Sequence, residues 1–300
     1  MAVHPTLLSL HLRNQTKLYK LPLVYVGRIG YYKRKYFFAK YPLYTNRRNS
    51  SMFHWDVVWQ NLFASSFLTA AWTTLWLSVI AQVIGVLLGL LLALMRMSHS
   101  PLLNLPARFY IWLFRGSPLL VQILILYTGI PELFHNSAVT SFLSAYVVIL
   151  IAFSLNEGAY MAEIVRAGIE SVDMGQMEAA KALGMRTSLG MRRIILPQAA
   201  RVIVPPLGNE FNNMLKTTSL ASVIGLLELT GTAQIIGSIS FTTFELLIVA
   251  TVYYLLLTTL WGYTQSWIER RLDPNRNQKV ELDTKSLTAR MMGFGTPRVR

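Results

Sequence analysis

The sequence predicts an all-α membrane protein with about five transmembrane helices, and three observations carry that prediction. First, 53 % of the 300 residues are apolar and only 14 % are charged, with a mean hydropathy of +0.41, whereas a soluble domain carries about 25 % charged residues. Second, the charges leave long gaps. No Asp, Glu, Lys or Arg stands between Asp56 and Arg96, between Glu132 and Glu157, or between Glu245 and Glu269. A helix needs roughly 20 apolar residues to cross about 30 Å of hydrocarbon, so each gap holds a span. Third, these segments lack the polar face that helices of a soluble bundle show.

The chain opens with a basic segment, residues 1–51, which holds ten of the 28 Lys and Arg residues and no acid. Without it the balance is 18 basic against 14 acidic residues, so the net charge of +14 falls to +4 and no nucleic acid is expected as a partner. The segment has no apolar run long enough for a span and no signal-peptide core. The expectation is that translation starts at Met52; the alternative is a basic tail lying on a membrane surface.

Span 1 is expected at about 65–95. Gly85 and Gly89 lie four apart on one face, which suits close helix packing, although a plain lipid-facing span reads equally well. Span 2 is expected at 116–133, after an amphipathic approach containing Pro106, Arg108 and Arg115. Span 3 is expected at 138–157, span 4 at 203–228 and span 5 at 245–268. Span 4 is the most polar, with Pro205, Pro206, Glu210 and Lys216. The prolines favour a kink or a helix start. The transmembrane domain as a whole is expected over 57–271, and residues 272–300 read as a polar, disordered tail.

Orientation follows from the basic residues of the loops. The connection between spans 1 and 2 holds Arg96, Arg108 and Arg115; that between spans 3 and 4 holds Arg166, Lys181, Arg186, Arg192, Arg193 and Arg201. The other two connections hold none, and the tail after span 5 holds eight. Loops 1 and 3 and the C-terminus are therefore expected in the cytoplasm and the N-terminus outside. The ten cations of residues 1–51 conflict with an outside N-terminus, which is the reason for expecting the start at Met52.

The long loop between spans 3 and 4 carries the most specific pattern. Glu178-Ala179-Ala180 is followed by three residues and Gly184; nine residues later come Ile194, Ile195, Leu196 and Pro197. Asp173 with Gln176 has the form of an N-cap with its reciprocal partner. Gly184 suits the left-handed residue that ends a helix, and a second short helix is expected from Ser188 to Leu196, stopping before Pro197. The product is a helix–turn–helix projecting from the membrane domain, small-faced enough to dock into a groove on another protein.

This loop resembles the signature loop of permease subunits of bacterial ATP-binding-cassette importers. Four further stretches extend the resemblance: residues 115–122 (RGSPLLVQ), 158–171 (GAYMAEIVRAGIES), 205–211 (PPLGNEF) and 216–225 (KTTSLASVIG). Together they are similar to permeases for polar amino acids, namely histidine, arginine, glutamine, glutamate and opines, over about 57–271. The resemblance implies a type I ABC importer permease fold in the bacterial inner membrane. It implies that the loop of Glu178, Ala179, Ala180, Gly184, Ile194, Leu196 and Pro197 is a coupling helix seated on an ABC ATPase subunit. It also implies a second permease subunit, identical or paralogous, an extracytoplasmic substrate-binding protein and an amino-acid substrate moved by alternating access. ATP and Mg would belong to the partner, since no Gly-x-x-x-x-Gly-Lys-Ser/Thr occurs and Gly-Lys is absent even as a dipeptide. No cofactor or metal is expected on this chain. It has no Cys, and its five His are scattered.

Polar residues inside a span usually face a bundle interior or a cavity. The candidates for the substrate pathway are Gln122, Asn156, Glu157, Glu163, Asn209, Glu210, Lys216, Thr217 and Ser219. A zwitterionic amino acid needs acceptors for its ammonium, for which Glu157 or Glu210 is the candidate, and donors for its carboxylate, for which Lys216 or the hydroxyls are candidates. Each also reads as an ordinary helix–helix hydrogen bond or an interfacial charge. An intramembrane enzyme would need a nucleophile–base or metal-ligand set, and spans 1–3 and 5 contain no His, Asp or Cys. An ATP-independent channel or carrier would account for the polar span 4 but not for the Glu-Ala-Ala loop.

Overall fold

The computed structural model describes residues 53–134 and 142–272. Residues 1–52, with the expected start at Met52, lie outside the described residues, as do 273–300 of the tail. Among the described residues every regular element is helical: α1 (Trp55–Leu62), α2 (Ser65–Met97), α3 (Pro101–Gly116), α4 (Leu119–Phe134), α5 (Ala145–Glu170), α6 (Met174–Ala182), α7 (Thr187–Ile224), α8 (Leu229–Ser240) and α9 (Thr243–Leu272).

Three of these, α2, α5 and α9, are each long and apolar enough to cross a membrane alone. Two bent pairs bring the count to five if each pair is one span. α3 and α4 meet at 102°, and α7 and α8 meet at 43°. The elbow between α3 and α4 falls at Ser117-Pro118, where the proline ring disfavours a helical conformation for the preceding residue. Ser117 is extended (φ −107°, ψ 144°) and Pro118 begins the next helix as its N-cap. The expected span 2 thus corresponds to α4, with the basic approach folded away as a separate helix.

Span 4 departs further from expectation. Its helix does not begin near 203 but at Thr187, and it continues through Pro197, Pro205 and Pro206. The second short helix of the loop therefore does not stop before Pro197. A π-helical turn over Met191–Ile195 precedes that proline, and the wider turn absorbs the break in the hydrogen-bond ladder that the missing proline N–H creates. At the far end, Gly225 takes a left-handed φ of 77°. Leu226 N donates to Ala221 O and Gly225 N to Ser222 O, a paired closure that ends the helix. α8 then occupies what reads in sequence as a loop between spans 4 and 5.

α2 is the spine of the fold. Its middle packs with α4, α5 and α7 around Leu77, Ala81, Ile123, Ile149, Phe153 and Met214. Its first turns pack with α1, α8 and α9 around Phe67, Ala70, Leu229 and Leu246. Its last turns meet α3, α5 and the start of α7 through Leu92, Ala93, Ile111, Ala162, Val165 and Ala199. The approach of α2 to α5 depends on glycine. A Cβ on Gly89 would lie 2.9 Å from the backbone nitrogen of Ala162, and one on Gly158 would lie 2.8 Å from Leu88 Cδ2. Gly85 and Gly89 therefore form a close helix–helix seam, and the lipid-facing alternative for them falls.

Candidate functional site

Two regions hold the candidate residues. The first is the hairpin of α6 and the first turns of α7. The Asp173 carboxylate accepts from Gly175 N at 2.7 Å and so caps α6, while Gln176 gives its backbone N–H to Asp173 O. Gly184 sits at φ 76°, and Met185 N donates to Ala180 O while Gly184 N donates to Lys181 O, which satisfies the last carbonyls of α6. Ala180 is buried against Gly190, where a Cβ would meet Ala180 Cβ at 3.4 Å and Met177 Sδ at 3.1 Å. Small residues on both sides thus let the two helices close on one another.

The hairpin is anchored to the membrane helices by Ile195, packed with Ala93, Val165, Ile169 and Ala199. Ile194 is half-buried beside it, and Leu196 and Pro197 are exposed. Opposite the anchor, Glu178, Ala179, Lys181 and Ala182 are exposed. So are two large apolar side chains, Met174 at 79 % and Leu183 at 82 %. A helix offering alanines between two bare apolar ends is a surface shaped for a groove.

The second region is the polar interior. Gln122 and Asn156 come together at the α3–α4 elbow. Gln122 Nε2 donates to Phe114 O and Ser117 O at 3.0 and 3.1 Å. Asn156 Nδ2 donates to Phe114 O at 2.9 Å and to Gln122 Oε1 at 3.2 Å. These two amides hold the carbonyls that α3 leaves open at its end.

Glu157, one position along α5, faces α2 instead, and Gln82 Nε2 donates to its Oε1 at 3.0 Å. Glu157 is 5 % exposed. Glu210 of α7 is half-buried and lies within electrostatic reach of Glu157. Gln82 Oε1 is buried and has no hydrogen-bond donor among the described residues. Glu163, two turns further along α5, sits between two guanidinium groups, 3.1 Å from Arg96 Nη1 and 2.8 Å from Arg166 Nη2.

On α7, Pro206, Asn209, Asn213 and Lys216 are all exposed. Their spacing puts them on one face of the helix. Asn209 Oδ1 accepts from Gln265 of α9 at 3.1 Å. Gly208 lets α9 come close, with Trp261 Nε1 donating to its carbonyl at 2.8 Å. Thr217 and Ser219 are half-buried, and the Ser219 carbonyl accepts from Ser222 Oγ at 2.7 Å. The nine pathway candidates therefore separate into an elbow pair, an acidic pair, an ion cluster and an uncovered polar stripe with two hydroxyls at its end.

Two polar residues of this interior are absent from the sequence reading. Gln82 is the partner of Glu157, and its signal was available, since it is the one amide in span 1. Glu228 is fully buried. Its carboxylate accepts from Gly231 N at 2.7 Å, Thr230 N at 3.0 Å and the Tyr254 hydroxyl at 2.6 Å. It caps α8, an element the sequence did not reveal.

Comparison with known proteins agrees with this architecture. The chain is 43 % identical over 207 residues to the arginine transport system permease of Corynebacterium glutamicum, covering 66 % of this chain and 63 % of that protein. It is 44 % identical over 194 residues to the octopine transport system permease of Rhizobium radiobacter, covering 63 % and 79 %. A crystal structure of an amino acid ABC transporter with histidines superposes with a TM-score of 0.66 at 41 % identity, over 74 % of this chain and 99 % of that one. The MetNI methionine ABC transporter shares the fold at 15 % identity, TM-score 0.57, over 69 % and 95 %. The family model for binding-protein-dependent transport system inner membrane components matches residues 85–274. With three to five apolar crossings among the described residues and a helical hairpin set between two of them, the chain belongs to that family, a multi-pass permease of the inner membrane.

Proposed function

We propose that this chain is the pathway-forming subunit of an importer for amino acids or their opine-type conjugates, driven by ATP hydrolysis on a separate subunit. The observation that carries the proposal is the α6–α7 hairpin, whose alanine face and flanking Met174 and Leu183 stand uncovered while its other side is anchored in the membrane domain. The absence of any phosphate-cradling Gly-Lys sequence supports a nucleotide site on a partner. In this reading Glu178, Ala179, Ala180, Gly184, Ile194, Leu196 and Pro197 form the ATPase-coupling segment, which lies in the cytoplasm with the C-terminus, and the N-terminus is outside. That the relatives serve arginine and octopine transport systems supports an amino-acid cargo.

The stripe of Asn209, Asn213 and Lys216 supports a second permease subunit, identical or paralogous. A cation and two amides facing hydrocarbon would be costly, so a second subunit and the aqueous pathway between the two cover them. The acidic pair Glu157 and Glu210, with the unfilled acceptor of Gln82, suits the ammonium of an amino acid, and Lys216 suits its carboxylate. An external binding protein delivers the substrate, and nucleotide binding draws the two hairpins together to turn the pathway outward.

The test is the ATPase activity of the complex reconstituted with its ATPase subunit and screened with twenty amino acids. Stimulation by one or a few of them, lost in Gly184→Val, is expected. Substrate uptake that continues with no ATPase subunit present would refute the reading.

A further inference from the structure

A cavity of about 390 Å³ opens where α2, α3 and α5 meet, and it is lined by Arg96, Arg108, Trp112, Arg115, Tyr160 and Glu163. Three guanidinium groups face one carboxylate there. That carboxylate is already engaged, since Glu163 is held by Arg96 and by Arg166. Arg108 and Arg115 have no carboxylate within ion-pair distance among the described residues. Arg115 lies instead over the Tyr160 ring, 5.2 Å from its centroid. Guanidinium groups stay protonated and present a fork that matches phosphate oxygens, so the cavity is built for an anion.

The helix that supplies two of these arginines indicates where the anion comes from. Arg108, Trp112 and Arg115 share one face of α3. The neighbouring face carries Leu102, Leu105 and Phe109, which are 86 %, 62 % and 62 % exposed. A helix with a cationic row beside a bare apolar row lies in the plane of the membrane interface, which brings the cavity to headgroup depth. The excess of guanidinium over carboxylate repels the ammonium of a zwitterionic headgroup and attracts a headgroup whose phosphate is its only charge.

We propose that this cavity binds the phosphate of an anionic phospholipid, with Arg108 and Arg115 as its ligands and the acyl chains lying along Leu102, Leu105 and Phe109. The leaflet is the cytoplasmic one on the orientation given under Proposed function, and only that detail rests on that reading.

Native mass spectrometry of the assembled transporter tests the site with added phosphatidylglycerol, added phosphatidylcholine, or inorganic phosphate alone. Phosphatidylglycerol adducts should persist where phosphatidylcholine adducts do not, and Arg108→Gln with Arg115→Gln should weaken them about tenfold, a step of ~1.4 kcal/mol. The same charge loss at Arg270→Gln with Arg271→Gln, at the end of α9 and away from the hairpin, should leave them unchanged. Thermal melting of each variant establishes that it is folded, and Arg108→Lys with Arg115→Lys, which keeps the charge, should restore part of the binding. Equal retention of both lipids, or full retention in the double glutamine variant, would overturn the proposal. Displacement of the lipid by millimolar phosphate would make this a free-phosphate site. Adducts on the isolated chain that vanish in the assembled complex would make it a protein contact. Lipid retention is read without any transport, so a failure of ATP coupling would leave this result standing.

Discussion

Gln82 of α2 donates to Glu157 of α5 across 3.0 Å, and the pair is buried in the helix seam next to Gly85. The two residues are 75 positions apart in the chain, so the bond ties the first apolar span to the third. Removing one partner of such a pair strands the other.

Gln82→Leu leaves Glu157 without its amide donor and is expected to lower stability by about 1–3 kcal/mol. Glu157→Gln keeps an acceptor for Gln82, so its melting temperature should stay near that of the parent while uptake in proteoliposomes falls sharply. Thermal melting in detergent alongside uptake separates the two effects. Unimpaired uptake in folded Glu157→Gln would remove Glu157 from the pathway.

The glycines of the same seam should differ in their tolerance. A Cβ at Gly89 meets the Ala162 backbone at 2.9 Å, whereas one at Gly85 meets Glu157 Cγ at 2.6 Å. At Gly85 the Glu157 Cβ, which rotation does not move, is also at 2.7 Å, but the nearest backbone atom is 3.4 Å away. At Gly89 the Met161 Cβ is closer still, with backbone at 2.9 Å, so the helices must separate further there. Gly89→Ala is therefore expected to cost the larger share of the ~1–3 kcal/mol typical of overpacking, and Gly85→Ala less. Thermal melting of the two single variants gives the order.

At the hairpin, a side chain that tolerates a left-handed backbone should be accepted at position 184. Gly184→Asn should keep partner-dependent ATPase activity, while Gly184→Val should lose it, since a β-branched residue at φ 76° is strained by about 1–2 kcal/mol. Ala182→Trp places bulk on the exposed side of α6. It should leave the melting of the isolated permease unchanged and abolish co-purification of the ATPase subunit.

The polar stripe of α7 should be in water. The chain has no cysteine, so single cysteines report cleanly. Asn213→Cys is expected to react with a water-soluble maleimide in the assembled transporter, and Leu87→Cys, which is 63 % exposed on the bare surface of α2, is expected not to react because lipid covers it. Equal labelling at both positions would argue against an aqueous face on α7.

The apolar crossings and the hairpin were legible because each rests on a short-range signal. A run of uncharged residues specifies a span, and Asp173 and Gly184 specify helix ends by their own conformational preferences. The elements that escaped depend on contacts remote in sequence. α8 is an independent helix because Glu228 caps it while Tyr254 of α9 holds the same carboxylate, and nothing within a few residues of Glu228 announces that. In sequence Pro197 reads as a stop, yet the helix runs past it, because a π turn and the burial of Ile195 against α2 and α5 outweigh the lost hydrogen bond. The pathway candidates fall into four separate groups in the fold, and their hydrogen-bond partners are remote in sequence. Asn156 and Glu157 are adjacent in sequence and face different helices, as neighbours on a helix must.

The run of α7 through its prolines has a mechanical meaning. The rod from Thr187, on the exposed hairpin, to Lys216, on the polar stripe, spans about 43 Å at the usual rise of an α-helix. One continuous helical run therefore links the exposed hairpin to the polar stripe, with no loop between them. The π turn at Met191–Ile195 lies within that run at its anchor to α2 and α5, so the exposed tip and the polar stripe are parts of a single element.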